Sequence, residues 1–371
     1  MGEVNHPALG AQFRKHADEM HGLYRFLMLR LADDWESGGI VREICRDWED
    51  ASVESLVQLR LLAGLQRLVL TRRAGKLAMY YPNLGGTADY RDAWPQFRAV
   101  LVEHAAELRD GLEVVPQTNE PGRSTALLVG IFDAVRRCGI DRIRLLEPGA
   151  SAGLNLLVDQ FRIGGHSPAS WASGPADSPL RLERAVIGTV QPVDYTIVSR
   201  RGCDLAPVDP RTEEGRLQLT SFVWADDVDR HARLKAALRV AARHPVTVDR
   251  SGAADWLDAQ LAEDVEDRVL TVVWNSVTEQ YWPRDEQHRA RELLAAAARR
   301  MPLAHVSMEL RASERGARLT VAASTGAASS GTEDHAGFDP VEIARVADHG
   351  IPVTIGPEPS GAPSKPYEPS Q

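Results

Sequence analysis

The sequence predicts an α/β fold in which a doubly wound, mostly parallel sheet follows an all-helical N-terminal lobe. Three observations support this fold class. Apolar residues recur at helical spacing in the first part of the chain, strand-like and helical segments alternate from Arg142 onward, and a turn of small residues follows the first of those strands. Of the 371 residues, 43% are hydrophobic, which is enough for a large core and suits two lobes.

The helical lobe is predicted to span residues 1–138. Ala51–Leu70 and Asp89–Leu112 carry broad apolar stripes at helical spacing. A third helix is predicted over Pro121–Cys138, because proline favours the first turn of a helix and Gly139 favours its end. No segment of this lobe has a convincing strand pattern. We expect it to serve as a lid and as a surface that binds substrate.

The α/β domain is predicted to span residues 139–356, with strands and helices alternating as in a parallel sheet. The candidate strands are Ile143–Leu146, Val246–Val248, Val269–Trp274, His305–Leu310, Leu319–Ala323 and Pro352–Ile355, and the helices are Asp226–Arg243, Ala253–Leu261 and Arg284–Arg300.

Two segments depart from this alternation. Residues 161–212 are rich in Gly, Pro and Ser, with strand-like runs at Leu180–Glu183 and Tyr195–Ser199. We expect them to form a β-rich insertion, a small antiparallel flap. The Pro- and Ser-rich tail, residues 357–371, is expected to be disordered.

Composition narrows the classes of partner. The formal net charge of −9 argues against nucleic acid as an obligate partner. No apolar run reaches the length of a membrane span, and no secretion signal is evident, so we expect a cytoplasmic protein without a membrane partner. Three widely spaced cysteines and scattered histidines predict neither a disulfide framework nor a metal site. The oligomeric state is not predictable from these features.

The turn after the first strand has two chemical interpretations. As Gly149-x-Ser151-x-Gly153 it resembles the nucleophile elbow of a serine hydrolase. As Glu147-x-Gly149-x-x-x-Gly153 it resembles the nucleotide loop of methyltransferases that use S-adenosylmethionine (SAM). Ser151 is the nucleophile in the first interpretation and a small loop residue in the second. A tight turn that binds nothing is the plain structural alternative.

The surrounding sequence favours the nucleotide loop. A hydrolase elbow needs earlier strands and an oxyanion loop, whereas the preceding residues are predicted to be helical. Asp285, His335 and His349 follow in the order of a catalytic triad, but any chain of this length contains such residues. The small residues would let a ligand approach the backbone, a helix is predicted directly after the loop, and Glu147 can accept hydrogen bonds at the strand end. The glycine spacing disfavours a nicotinamide dinucleotide.

Two acidic residues are candidates for further contacts with a nucleoside. Asp204 follows a strand-like run and is the best candidate ligand for ribose hydroxyls. Asp255 follows another strand and resembles the acidic residue that faces the adenine in methyltransferases. The alternative for Asp204 is a turn residue, and the alternative for Asp255 is a residue of the first turn of a helix.

Candidate residues for the methyl acceptor lie in two further segments. Asn275, Glu279 and Tyr281 follow the strand Val269–Trp274 and could orient or deprotonate an acceptor, although a capped loop is the alternative. A second polar group precedes the third predicted helix and could bind substrate, with helix capping as the alternative. Its members are Gln117, Asn119, Glu120 and Arg123.

Four runs resemble an uncharacterised bacterial family common in actinomycetes, the domain of unknown function DUF2332. They are Gln117–Glu120 with Gly122-Arg123, Glu147–Leu156, Asp204–Asp209, and His349-Gly350 before Pro352-Val353. The resemblance implies family membership, and an α/β half that is Rossmann-like and similar to class I SAM-dependent methyltransferases. That similarity is carried by Glu147, Gly149 and Gly153, while Ser151 replaces the usual middle glycine and the ribose acid lies unusually far downstream.

The leading hypothesis is a SAM-dependent methyltransferase-like enzyme acting on a small molecule. Its transfer would be an in-line displacement, so positioning in a dry cleft would supply most of the rate. Two alternatives remain. One is a serine hydrolase that uses Ser151, and the other is a non-catalytic protein that binds SAM or a similar nucleotide.

Overall fold

The computed structural model describes residues 8–166, 171–266, 268–311, 315–326 and 338–356. It confirms an α/β fold with a large, mostly parallel sheet and many helices. The chain forms two compact units. Unit 1 contains the residues up to Pro121, Gly149–Asn155 and Gly202–Gly252, and unit 2 contains Gly122–Pro148, Leu156–Arg201 and the residues from Ala253 onward.

Unit 1 is built mainly from helices around an apolar core. The core includes Phe13, Leu27, Leu61, Tyr81 and Phe97, all of which are fully buried. The helices are α1 (Leu9–Asp18), α2 (Gly22–Glu36), α3 (Ile40–Ile44), α4 (Val57–Leu70), α5 (Trp94–Glu103), α6 (Ala105–Gly111), α8 (Glu213–Ser221) and α9 (Val228–Ala241).

The start of α2 is fixed by a residue that is distant in sequence. The Asp226 carboxylate accepts hydrogen bonds from the backbone N–H groups of Leu23 and Tyr24, which have no partner within the helix. Gly22 has a φ of +55°, and a Cβ there would lie 2.7 Å from Asp226 Oδ1. Glycine is therefore required for this close approach.

Unit 2 contains the remaining helices, α7 (Ser124–Cys138), α10 (Ala253–Leu261) and α11 (Arg284–Ala298), and most of the sheet. The strands of the whole chain are β1 (Arg142–Pro148), β2 (Arg162–His166), β3 (Ala172–Ser173), β4 (Arg181–Ile187), β5 (Thr196–Asp204), β6 (Val248–Arg250), β7 (Val269–Ser276), β8 (Leu303–Leu310), β9 (Ala317–Ser324), β10 (Val341–Val346) and β11 (Val353–Thr354). Every residue of β7 is buried, as expected for a central strand.

Within unit 2 the strand order is β3-β2-β4-β11-β10-β9-β8-β7-β1-β5. The pairs β1–β7 and β7–β8 are parallel, with Leu146 opposite Val273 and Asn275 opposite Ser307. The neighbouring pairs β8–β9, β9–β10 and β10–β11 are antiparallel. Helix α7 packs against this sheet so closely that a Cβ on Gly130 would lie 2.2 Å from Val306 Cγ1.

Strand β5 runs beside β1 in the same direction. Thr196 N donates to Asp141 O at the start of the pair, and Gly149 N donates to Cys203 O at its end, both at 2.8 Å. In unit 1 the last residues of β5 pair with the parallel strand β6, with Asp204 opposite Arg250. Asp204 is therefore the last residue of β5, which extends beyond the predicted run Tyr195–Ser199.

The observed elements agree with most of the sequence predictions and correct some. The helix predicted over Ala253–Leu261 is confirmed, and the stretch Asp89–Leu112 divides into α5 and α6. The expected antiparallel flap is wrong in its pairing, because β2 and β4 are parallel neighbours and only β3 is antiparallel to β2. Three apolar residues of β4, Leu182, Ala185 and Val186, are buried in the sheet, and β4 belongs to unit 2.

Other predictions fall outside the described residues or stay predictions. The tail, residues 357–371, lies outside the described residues. The boundary after residue 138 stays a prediction, although α7 belongs to unit 2 by its contacts. Among the described residues, no helix is long and apolar enough to cross a membrane. Cys45, Cys138 and Cys203 form no disulfide bond with one another.

Candidate functional site

The loop after β1 has an unusual backbone conformation. Gly149, Ser151 and Gly153 have φ angles of +77°, +55° and +72°. Such angles are open to glycine but cost a residue with a side chain about 1–2 kcal/mol. The loop is tied to the neighbouring strand because the N–H groups of Gly149 and Ala150 both donate to Cys203 O at 2.8 Å. Its backbone is therefore held in a conformation that its sequence alone does not favour.

The Asp204 carboxylate holds this loop in place. Its Oδ2 accepts a hydrogen bond from Ser151 N at 2.8 Å. Its Oδ1 accepts from Ala206 N at 2.9 Å and from Gln117 Nε2 at 3.4 Å. The side chain is only partly buried. Three segments that are far apart in sequence thus meet at one carboxylate within unit 1.

The polar group before α7 takes part in the same network. The buried Asn119 side chain accepts a hydrogen bond from Leu154 N at 2.8 Å, and Gln117 Nε2 also donates to Ala206 O at 3.2 Å. Both side chains are therefore used to shape the loop. Their predicted contacts with substrate stay predictions.

Glu120 belongs to a buried cluster of charges. Its two oxygens accept from Arg230 Nε at 2.8 Å and Arg233 Nε at 3.0 Å, and Arg230 also pairs with Asp227 at 3.0 Å. A small cavity of about 10 Å³ lies here, which is room for about one water molecule. This arrangement explains Glu120 without a ligand, because a buried carboxylate must be paired.

Ser151 does not have the surroundings of an activated nucleophile. It is 6% exposed, and its Oγ makes no hydrogen bond with any residue that the structure describes. A serine nucleophile needs a base within hydrogen-bond reach. Asp285 is exposed in the first turn of α11, and His335 lies outside the described residues.

The segment after the loop corrects a second expectation. The sequence predicts a helix directly after Gly153, but residues Asn155–Gln160 form a short 3₁₀ segment that is kinked at Leu157. Leu154, Leu156 and Leu157 are all buried. Three apolar residues within four positions must all be packed, and a regular helix with one apolar face does not bury such a run. The expected α-helix therefore does not begin directly after the loop.

A separate polar cluster lies in unit 2 at the carboxyl ends of β7 and β8. The Asn275 amide Nδ2 donates to Glu309 Oε1 at 2.7 Å and to Ser307 Oγ at 3.3 Å. Asn275 Oδ1 is 2.6 Å from His305 Nε2. The side chain predicted to orient an acceptor is thus itself held by three residues of the next strand.

Two titratable groups in this cluster were missed by the sequence analysis. Burial, with a smaller effect of Arg291, lowers the pKa of His305 to about 4, so the imidazole is neutral at neutral pH. Burial raises the pKa of Glu309 although its hydrogen bonds lower it. The sequence does mark these residues by a local pattern, because His305, Ser307 and Glu309 alternate with apolar residues and therefore share one face of β8.

Three predicted site residues lie nearer to the surface of unit 2. Glu279 forms an ion pair with Arg291, and Tyr281 is 58% exposed. Asp255 pairs with Arg289 in the first turn of α10, and its side chain is 76% exposed. This environment favours the interpretation of Asp255 as a first-turn residue. Its predicted contact with adenine stays a prediction.

Arg123 and Glu147 complete the set of predicted site residues. The Arg123 guanidinium donates to Ser276 O at 3.1 Å, at the end of β7, and Glu147 is 2% exposed near the end of β1. Gly350 packs directly on the backbone of Arg123, where a Cβ on Gly350 would lie 2.3 Å from Arg123 N. Among the described residues, no cluster of side chains has the composition of a metal site.

Comparison with protein families gives a match over almost the whole chain. A family model described as an uncharacterised protein conserved in bacteria, DUF2332, matches residues 8–354. The chain belongs to the DUF2332 family. Searches of curated proteins and of solved structures gave no match.

The runs that resemble DUF2332 form two clusters in the structure. In unit 1, Gln117, Asn119, the loop Gly149–Asn155 and Asp204 share one hydrogen-bond network. In unit 2, Gly122-Arg123 packs against Gly350. Within each unit, these runs are therefore in contact with one another.

Gly350→Ala is expected to destabilise this DUF2332 protein more than Gly139→Ala. Both positions have a positive φ, but a Cβ would meet the Arg123 backbone only at position 350, since nothing lies within 4 Å at position 139. We expect the additional loss in unfolding free energy to be about 1–3 kcal/mol, the usual effect of overpacking. Urea denaturation of both variants measures it, and equal losses would contradict the close contact.

Ser151→Gly is expected to stabilise the protein relative to Ser151→Ala. Both variants remove the buried hydroxyl, but only glycine removes the strain of a positive φ, about 1–2 kcal/mol. Glycine also adds about 0.5–1 kcal/mol of unfolded-state entropy cost, which leaves a net difference of about 0.5–1 kcal/mol. Thermal and urea unfolding measure this difference. A glycine variant less stable than the alanine variant would be the opposite result.

Proposed function

We propose that this DUF2332 protein binds SAM at the loop after β1 and methylates a small-molecule acceptor. The observation that carries the proposal is the combination of strand order and loop position. Five strands are numbered here from 1 to 5 in chain order: β1, β5, β6, β7 and β8. In the sheet their order is β6-β5-β1-β7-β8, which is 3-2-1-4-5 in this numbering. This is the order of Rossmann-like sheets, which bind ligands beyond the carboxyl ends of their strands where the order reverses.

The residues at this reversal have suitable chemistry. The order reverses between β1 and β7, where Glu147 and Asn275 lie near the strand ends in unit 2. The loop Gly149–Gly153 follows β1 directly in the chain. Glycines in such a loop allow a ligand to approach the backbone closely.

The polar groups of the loop network fit a nucleoside. A carboxylate offers about four acceptor positions, and Asp204 uses three, so one position on Oδ2 remains for a ribose hydroxyl. Ser151 Oγ is buried without a partner among the described residues and can donate to a ligand or accept from it. Asp204 would hold the ribose, and the backbone of the loop would lie against the nucleoside. When bound, SAM would supply an electrophilic methyl group.

On the acceptor side, the proposal assigns binding and orientation to residues of this chain. Hydrogen bonds to β8 hold the Asn275 side chain in place, so it does not have to rearrange when an acceptor binds. The Arg123 guanidinium provides a positive charge at the end of β7. Glu279 and Tyr281 keep their predicted role, which is to orient or deprotonate the acceptor. The alternative is a protein that binds SAM without catalysis. It is distinguished from the proposed methyltransferase because it would form no methylated product.

Calorimetric titration with SAM and S-adenosylhomocysteine tests the proposal. We expect binding by the wild type, and for Asp204→Asn a loss of affinity of at least about tenfold, since a hydrogen bond to a charged group contributes about 1.5–3 kcal/mol. Asp258→Asn on α10 is the matched control, because that carboxylate is exposed and its ion-pair partner among the described residues is Arg289. Absence of binding at millimolar ligand, in protein shown to be folded, would exclude the proposal.

A serine hydrolase is the second candidate because of the backbone of Ser151. Its φ of +55° is the kind of strained turn that a nucleophile elbow requires. Labelling with a fluorophosphonate probe separates the two functions. The SAM proposal predicts no labelling of the wild type at Ser151. Labelling that disappears in Ser151→Ala would favour the hydrolase.

A further inference from the structure

One oxygen of the Glu309 carboxylate is held by three hydrogen bonds. Oε1 accepts hydrogen bonds from Asn275 Nδ2 at 2.7 Å, Thr278 N at 3.2 Å and Glu279 N at 3.3 Å. Oε2 makes no hydrogen bond with any part of the chain that the structure describes. The residue is partly exposed. Three donors on one oxygen fix the direction of the carboxylate and leave the other oxygen available.

The surroundings of Glu309 hold its carboxylate in one position, unlike those of an exposed side chain that rotates freely. It lies at the carboxyl end of β8, next to the end of β7, and shares one strand face with His305 and Ser307. Two of its three donors are backbone N–H groups of the segment that follows β7. The position of the carboxylate is therefore set by the sheet itself.

We propose that Glu309 Oε2 accepts a hydrogen bond, and then a proton, from a neutral hydroxyl or a protonated amine of the molecule that this protein acts on. The inference rests on the proposed function, which it deepens by naming the class of acceptor. The proton would leave the O–H or N–H group and bind to Oε2, which leaves the substrate atom with a lone pair. A carboxylate substrate is disfavoured, because it would bring a second negative charge to the same oxygen.

The charged groups around Glu309 are compatible with this role. Glu279, on the segment after β7, is a like charge that raises the pKa of Glu309, in addition to the larger effect of burial. Arg291 of α11 pairs with Glu279, and His305 of β8 is neutral near pH 7. A neutral His305 donates its Nε2–H to Asn275 Oδ1, so the amide must present its Nδ2 to Glu309. A base with a raised pKa takes a proton more readily near neutral pH.

The test is carbon NMR of the full-length protein labelled at the side-chain carboxyl carbon of glutamate. The Glu309 resonance is assigned by its loss in Glu309→Gln, which keeps an oxygen for the three donors. Two matched pairs of probes are then titrated, phenol against anisole and methylammonium against tetramethylammonium. In each pair only the first compound has a hydrogen to donate.

We expect phenol and methylammonium to shift the Glu309 resonance saturably, with anisole and tetramethylammonium binding about tenfold more weakly. The resonance should also titrate at a higher pH than that of an ordinary glutamate. Glu292→Gln is the matched control, because Glu292 is exposed on α11 and its loss should leave these shifts unchanged. If no probe shifts the Glu309 resonance, or if both members of each pair shift it equally, the inference is overturned. Neither result bears on SAM binding, which calorimetry measures separately.

Discussion

The hydrogen bonds accepted by Asp204 are the constraint on which the proposed cofactor site depends. The loop after β1 contains a serine with a positive φ, and its buried N–H groups need partners. Asp204 satisfies Ser151 N, and Cys203 O satisfies the two N–H groups before it. The end of β5 therefore fixes the loop, and Gln117 fixes Asp204 in turn. Without this carboxylate, Ser151 N would lose its partner, and the loop would be held only by its other hydrogen bonds, such as those to Cys203 O and Asn119.

The sequence allowed the fold class and most central elements to be predicted, because their patterns are local. The run Val269–Trp274 is apolar except for Thr271, and α10 has clear apolar periodicity. The pairing of β2 and β4 with the sheet was not predictable, since parallel partners are set by contacts between distant segments. The 3₁₀ segment after the loop was missed because the packing of its leucines overrides the expected helix.

The candidate site was only partly predictable for similar reasons. Asp204 was identified from its position after a strand, but its partners Ser151 and Gln117 lie 53 and 87 positions away in the chain. The pairing of Glu120 with Arg230 spans 110 positions and has no local signature. By contrast, the alternation that marks Glu309 on β8 is local, so a search for polar residues at period two would have found it.

The loop held by Asp204 is the proposed binding site of a nucleoside cofactor. A crystal structure of the protein grown with S-adenosylhomocysteine would test this assignment. We expect density for the ligand against the backbone of Gly149–Gly153, with a ribose hydroxyl within hydrogen-bond distance of Asp204 Oδ2. Ligand density elsewhere on the chain, or an empty loop at saturating ligand, would contradict it.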